Sequence, residues 1–304
     1  MFVLVLPFVL ASIHVLASGL RGWKSSSPRL PPGPKPFPII GNILELVGNQ
    51  PHQVISKLSK TYGPLMTLKL GSMTTIVISS PDLAKEVLQK HDHVFSSRTI
   101  TDSSRALNHH KFSIGWLPAT AHWRNLRKVS ATQMFSQQKL NSTQAIRRKM
   151  VQELGDHVKE NCSSGQAVDI GRLAFTTSLN AISNTLFSKD LADYCSNASQ
   201  EFLEIIVGSM EEIGKPNIVD YFPALRFVDP QGARRRLTIH YRNFFRILDG
   251  IINERLQSKA SSKGSNATSD ALGSLLNLIE EDNSELSYDD IKHLLLVFDY
   301  TSSK

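Results

Sequence analysis

The chain has 304 residues, 41% of them apolar and 20% charged, with two cysteines and a formal net charge of +7. This composition excludes a mainly disordered chain, a collagen and a coiled-coil rod. Two cysteines make neither a disulfide scaffold nor a four-thiolate zinc site, and a basic surface suits anionic lipid or an acidic partner without specifying either.

The first element is apolar. Residues 2–20 carry no formally charged side chain, and Arg21, Lys24, Arg29 and Lys35 follow with no Lys or Arg ahead of them. At about 1.5 Å per residue such a helix spans most of a ~30 Å hydrocarbon core. The positive-inside rule then predicts a membrane anchor over 1–20, with the body in the cytosol. The alternative is a cleaved signal with small residues Ala17-Ser18-Gly19 at the cut. A basic, proline-rich hinge over 21–38 follows. Six prolines between Pro28 and Pro38 forbid helix or central strand and make a stiff spacer, unless they serve as a ligand for an SH3-like module.

The body, 39–304, is predicted to be mainly helical with a small sheet near its start. Leu65–Leu70 and Met73–Ser79 are strand-like runs, and Gly71-Ser72 between them signals a hairpin. Ser80-Pro81-Asp82 opens a helix to about Lys90, with the proline in its first turn. Phe244, Leu248, Ile251, Ile252 and Leu256 recur at helical spacing. Ser287-x-x-Asp290 reads as a capping box ahead of Ile291, Leu294, Leu295 and Phe298. Polar breaks fall at 161–166, 214–217 and 258–269.

Most candidate chemistry has a plain reading. His91-x-His93 and His109-His110 lack a third ligand and read as solvated or capping histidines. Arg234-Arg235-Arg236, with Arg226, Arg242 and Arg246, makes a basic stripe that suits headgroups or solvent, and no nucleic-acid partner is expected. Asn-x-Ser/Thr triplets at Asn141, Asn161, Asn197 and Asn266 matter only if the body is lumenal, which leaves a secreted glycoprotein as a third reading of the whole chain. No GxGxxG, P-loop or GxSxG occurs. One constellation says more. Trp123 and Arg127 share a helix face, and an indole N–H and a guanidinium can both donate to one carboxylate. Arg98, in Phe95-Ser96-Ser97-Arg98, adds a second cation if the chain folds back. Three such donors suit a cofactor with two carboxylates. Arg127 over the Trp123 ring as a cation–π pair is the plain alternative.

The order of these features resembles a membrane-bound cytochrome P-450, a haem-thiolate monooxygenase. The features are the anchor, the Pro31-Pro32-Gly33-Pro34 hinge, Tyr62-Gly63-Pro64 and the hairpin, Phe-x-x-Arg, then Trp-x-x-x-Arg. The stretch from Ala121 to Lys128 is similar to the third helix of plant members, in particular the group with geraniol and other monoterpenoid hydroxylases. The resemblance implies a truncated version of that mainly α fold with a small β-sheet. It implies haem b bound through its propionates by Arg98, Trp123 and Arg127, and a substrate loop over 105–117 with Ser113 and Ile114 against substrate. Parts of 202–213 and 237–245 would roof the pocket. It also implies insertion of one oxygen atom into a small apolar substrate, with a terpenoid as one candidate, a place in secondary metabolism, a single-pass position in the endoplasmic reticulum membrane, and an NADPH–cytochrome reductase as electron donor.

The family's Ala/Gly-Gly-x-Asp/Glu-Thr run, Glu-x-x-Arg pair and Phe-x-x-Gly-x-Arg-x-Cys ligand loop do not occur in the 304 residues, and Ser287–Leu296 only begins the oxygen-activating helix. Cys162 and Cys195 lack the donor-rich surroundings a thiolate ligand needs. The expectation is therefore the N-terminal portion of a monooxygenase, without an iron-ligand cysteine or a catalytic residue of its own, inactive as written. A gene-model artefact, a splice form and a pseudogene product stand as its origins. A non-catalytic, membrane-anchored fragment is the rival reading.

Overall fold

A computed structural model of the chain describes residues 30–48, 50–192, 197–261, 270–280 and 286–301. The expected anchor and the hinge up to residue 29 lie outside the described residues. Among those described, no helix is long and apolar enough to cross a membrane. The chain divides into two compact units, Met1–Phe95 with Ile218–Val228, and Ser96–Asn217 with Asp229–Lys304.

The first unit is built on the predicted hairpin. Helix α1 (Pro51–Tyr62) precedes strands β1 (Leu65–Leu70) and β2 (Met73–Ile78), which pair antiparallel with Leu70 opposite Met73. Met66, Leu68 and Leu70 alternate into the interior, the period of a strand with one buried face. Gly71 takes the turn at φ +59, and a Cβ there would lie 2.7 Å from the Tyr221 carbonyl, so the turn requires glycine on both counts. Ser72 donates to that same carbonyl from its amide and its hydroxyl. The end of the proline-rich segment is held along β1. Thr67 N–H donates to Pro32, and buried Asn42 exchanges bonds with Lys69 through its amide and its side-chain oxygen. Helix α2 (Pro81–Lys85) opens as expected, with Ser80 capping Leu83 N–H, and closes in a π turn over Glu86–Lys90.

The second unit holds the main hydrophobic core. A 3₁₀ turn (Ser103–Asn108) leads into the one-turn helix α3 (His109–Phe112) and then α4 (Ala121–Val129), capped by Thr120. Helices α5 (Gln144–Ser163), α6 (Ile170–Phe187) and α7 (Asn197–Gly214) follow. Then come α8 (Ala233–Ser261), α9 (Ala271–Glu280) and α10 (Tyr288–Thr301). Leu237, Phe244, Leu248 and Ile252 of α8 meet Phe202, Ile205 and Ile206 of α7 and the apolar face of α10 in this core. α8 continues through the first four residues of the polar break predicted over 258–269. There Lys259 reaches Asn277 and Glu280 on α9, and that tertiary contact outweighs local composition. The capping box forms as read: Asp290 N–H donates to Ser287 Oγ at 3.1 Å, and Ser287 donates back to the Asp290 carboxylate from its amide and hydroxyl. Phe298 belongs to the described helix, but its side chain lies outside what the structure describes.

Candidate functional site

Arg98, Trp123 and Arg127 come together in the second unit. Thr120 accepts from the Trp123 amide and starts α4, which puts the indole and Arg127 one turn apart. The Arg127 guanidinium carbon stands 5.4 Å from the Trp123 ring centroid. Between α3 and α4 the chain makes a tight turn on Ser113, which is fully buried. Its hydroxyl accepts from Gly115 N–H, and its carbonyl accepts from Trp116 and Leu117 N–H. This turn presents two consecutive carbonyls to the donors. Trp123 Nε1 donates to Ile114 O at 3.0 Å, and Arg98 Nη1 donates to Gly115 O at 2.8 Å. Arg127 is exposed, and its guanidinium has no hydrogen bond or ion pair among the described residues.

Two N–H donors from different parts of the chain, one of them cationic, thus meet adjacent carbonyl oxygens, with a second cation, Arg127, stacked beside them. A group with two carboxylates fits this donor set, because carboxylate oxygens make stronger bonds to the same donors than neutral carbonyls do. Arg98, Trp123 and Arg127 would hold the carboxylates of a haem here.

The other end of the same loop is buried. Leu107 and Asn108, at φ +47 and +59, turn the chain sharply into α3 and drive His109 inward. His109 Nδ1 lies 2.7 Å from His293 Nδ1 on α10, so one imidazole donates and the other accepts. Phe112 stacks on His293, Phe245 meets it edge-on at 4.8 Å, and Tyr241 packs against His109. Burial pushes His109 well below the ordinary histidine range, with His293 and His110 adding to it. Burial likewise pushes His293 down to about 4, against the opposing pull of Asp289 and Asp290. Both rings are neutral near pH 7. A second tie runs from α4, where His122 Nε2 lies 2.9 Å from Asp290 Oδ1. Arg105 Nε and His110 Nδ1, also in this loop, are buried without a hydrogen-bond partner among the described residues.

These contacts correct the sequence reading of His109 as solvated or capping. It is 1% exposed, and its partner lies 184 residues away, a pairing no local spacing signals. His91 and His93 are exposed as expected. Among the described residues no three His, Cys, Asp or Glu side chains could hold a metal ion. Cys162 is exposed on α5, and Cys195 lies outside the described residues. The basic stripe is partly spent on carboxylates. Arg236 pairs with Glu212 at 2.7 Å and holds that carboxyl below its usual range, and Arg234 stands 3.7 Å from buried Asp102. A cavity of about 210 Å³ lined by Met134, Lys139, Ser188 and Asp270 lies apart from the donor cluster. Its Asp270 is already bonded to Arg255, Ser188 and Gly273.

Residues 31–300 match the family model "Cytochrome P450". The chain is 48% identical over 297 residues to cytochrome P450 monooxygenase 76AD131 of Lophophora williamsii, covering 98% of this chain and 59% of that one. It is 48% identical over 267 residues to geraniol 8-hydroxylase of Catharanthus roseus, covering 88% and 53%. It is 50% identical over 271 residues to inactive cytochrome P450 76AD1 of Beta vulgaris, covering 89% and 64%. The chain therefore spans little more than half the length of the curated relatives it matches. With the family model covering nearly all of it and plant relatives at about half identity, this chain belongs to the cytochrome P450 family.

Proposed function

We propose that the chain supplies the cofactor-carboxylate seat and the substrate loop of a plant haem monooxygenase. The observation that supports it most is the convergence of Arg98 and Trp123 on the adjacent carbonyls of Gly115 and Ile114, with uncommitted Arg127 over the Trp123 ring. Bound haem supplies oxygen activation and the insertion of one oxygen atom into a small apolar substrate, of which a terpenoid is the type suggested by the hydroxylase relative. The chain's own residues bind and orient. Arg98, Trp123 and Arg127 neutralise and fix the carboxylate edge. Ser113 and Ile114 bring the loop against substrate. The apolar walls of α7 and α8 exclude water. Electrons would come from an NADPH–cytochrome reductase. An anchor over 1–20 would keep the body on the cytosolic side of the endoplasmic reticulum membrane.

A second reading, a membrane-anchored chain that catalyses nothing by itself, is favoured by the thiols. The only one among the described residues, Cys162, is exposed on α5, where it lacks the sheltered, donor-rich loop a haem-thiolate requires. The 304 residues alone are accordingly expected to take up haem without turning over substrate. Titration of the chain with ferric haem, followed by its Soret band, tests the seat. Saturable binding weakened about tenfold or more by combined Trp123→Ala and Arg127→Ala is expected, since each removes a bond to a charged group. Equal binding by the double variant contradicts the assignment. A red-shifted carbon monoxide band on reduction, or turnover with a reductase, contradicts the second reading.

A further inference from the structure

The turn on Ser113 gives the donors what a ligand would give them. Ile114 O and Gly115 O occupy the Trp123 indole N–H and an Arg98 N–H, while Gly115, Trp116 and Leu117 amides close the turn on Ser113 itself. An indole N–H and a guanidinium each need an acceptor, and two neutral carbonyls are a weaker match for them than carboxylates. We propose that this turn is an internal stand-in for the haem carboxylates, so that haem loads by displacing the Ile114 and Gly115 carbonyls and thereby frees the substrate loop. The inference rests on the proposed cofactor seat and adds to it a coupling between cofactor loading and loop conformation.

The coupling has a sign. A ligand that binds only the released loop sees an affinity scaled by the fraction of chains in which the loop is released. Loosening the turn without touching a donor must therefore tighten haem binding. Removing a donor loosens the turn and weakens binding. A turn that is only scaffolding predicts weaker binding in both cases. Ser113→Ala separates these outcomes, because it deletes the bond from Gly115 N–H and leaves Arg98, Trp123 and Arg127 in place.

The test uses the full 304-residue chain in detergent micelles, ferric haem as probe, Soret titration for affinity and peptide-resolved hydrogen exchange for the loop. In the parent chain, haem should speed exchange of the Gly115, Trp116 and Leu117 amides. Ser113→Ala should speed the same amides without haem and bind haem about fivefold more tightly, the worth of one neutral hydrogen bond. Trp123→Phe should also speed them and bind haem more weakly. Exchange of α8 in the same data reports whether a variant still folds. If Ser113→Ala loses that protection, Gly115→Pro deletes the same bond from its donor side and must shift affinity in the same direction. Weaker or unchanged affinity on loosening the turn overturns the exchange, as does a loop that haem leaves untouched. If the parent chain binds no haem, the cofactor seat itself fails, and this inference with it.

Discussion

The two ends of the 105–117 loop are held by opposite kinds of chemistry. At His109 the contacts are neutral, buried and aromatic: an imidazole pair inside a box of Phe112, Tyr241 and Phe245. At Ile114 and Gly115 the contacts come from an exposed arginine and a half-buried tryptophan, donors that a competing acceptor can take. A buried neutral bond has no substitute in water, whereas a cationic donor at a surface exchanges partners at little cost. The contrast suggests a loop anchored at one end and releasable at the other, which suits a segment that must stay in register while it yields to a ligand.

The largest effect should follow from breaking the anchored end. His109→Ala removes a buried ring from Tyr241 and leaves His293 Nδ1 without its partner. Together the cavity and the orphaned nitrogen should cost about 3–4 kcal/mol in urea denaturation. Acid should act on the same pair. The unfolded chain binds more protons than the folded one wherever pH lies between the ordinary histidine value of 6.5 and the folded value of about 4 for His293. Stability should be full above that window, fall through it as pH drops, and level off below it. Asp289 and Asp290 oppose the shift and Lys292 reinforces it, so the value of about 4 already contains their pull. At 1.36 kcal/mol per unit the loss is roughly 3 kcal/mol. The His109→Phe, His293→Phe pair should flatten the pH dependence of the denaturation midpoint. A midpoint equally sensitive in that double variant would remove the histidines from the account.

The releasable end should be far gentler to break. Trp123→Phe keeps an aromatic ring at the position and loses the indole hydrogen bond, so it should cost about 1 kcal/mol and show itself mainly as faster exchange of the Ser113 turn. Arg127→Ala should leave stability within about 0.5 kcal/mol, because the residue is exposed and its guanidinium is uncommitted. Its effect belongs to haem affinity alone. A destabilisation comparable to that of His109→Ala would erase the distinction between the ends.

How far the sequence foretells each end follows from how local its signals are. The donors are legible because Trp123 and Arg127 lie one helical turn apart, and the motif around Arg98 carries the family resemblance. The hairpin, the Ser80 cap and the Ser287–Asp290 box are legible for the same reason, since each is completed within a few residues. The His109–His293 bond is not legible. Nothing near either histidine distinguishes a buried imidazole from a solvated one, and the two approach only when α10 packs under α3. The end of α8 is misread for a related reason, because its last turn is held by Lys259 contacts to α9 and not by its own serines and lysines.

Peptide-resolved hydrogen exchange across residues 105–120 of the haem-free chain tests the contrast most directly. The Ser113 amide, bonded to His109 O beside the buried imidazole, should exchange with the slow amides of α8 and α10. The Gly115, Trp116 and Leu117 amides should exchange much faster, at a rate set by local opening of the turn. A single shared rate along the whole loop, whether slow or fast, would contradict the division into an anchored and a releasable end.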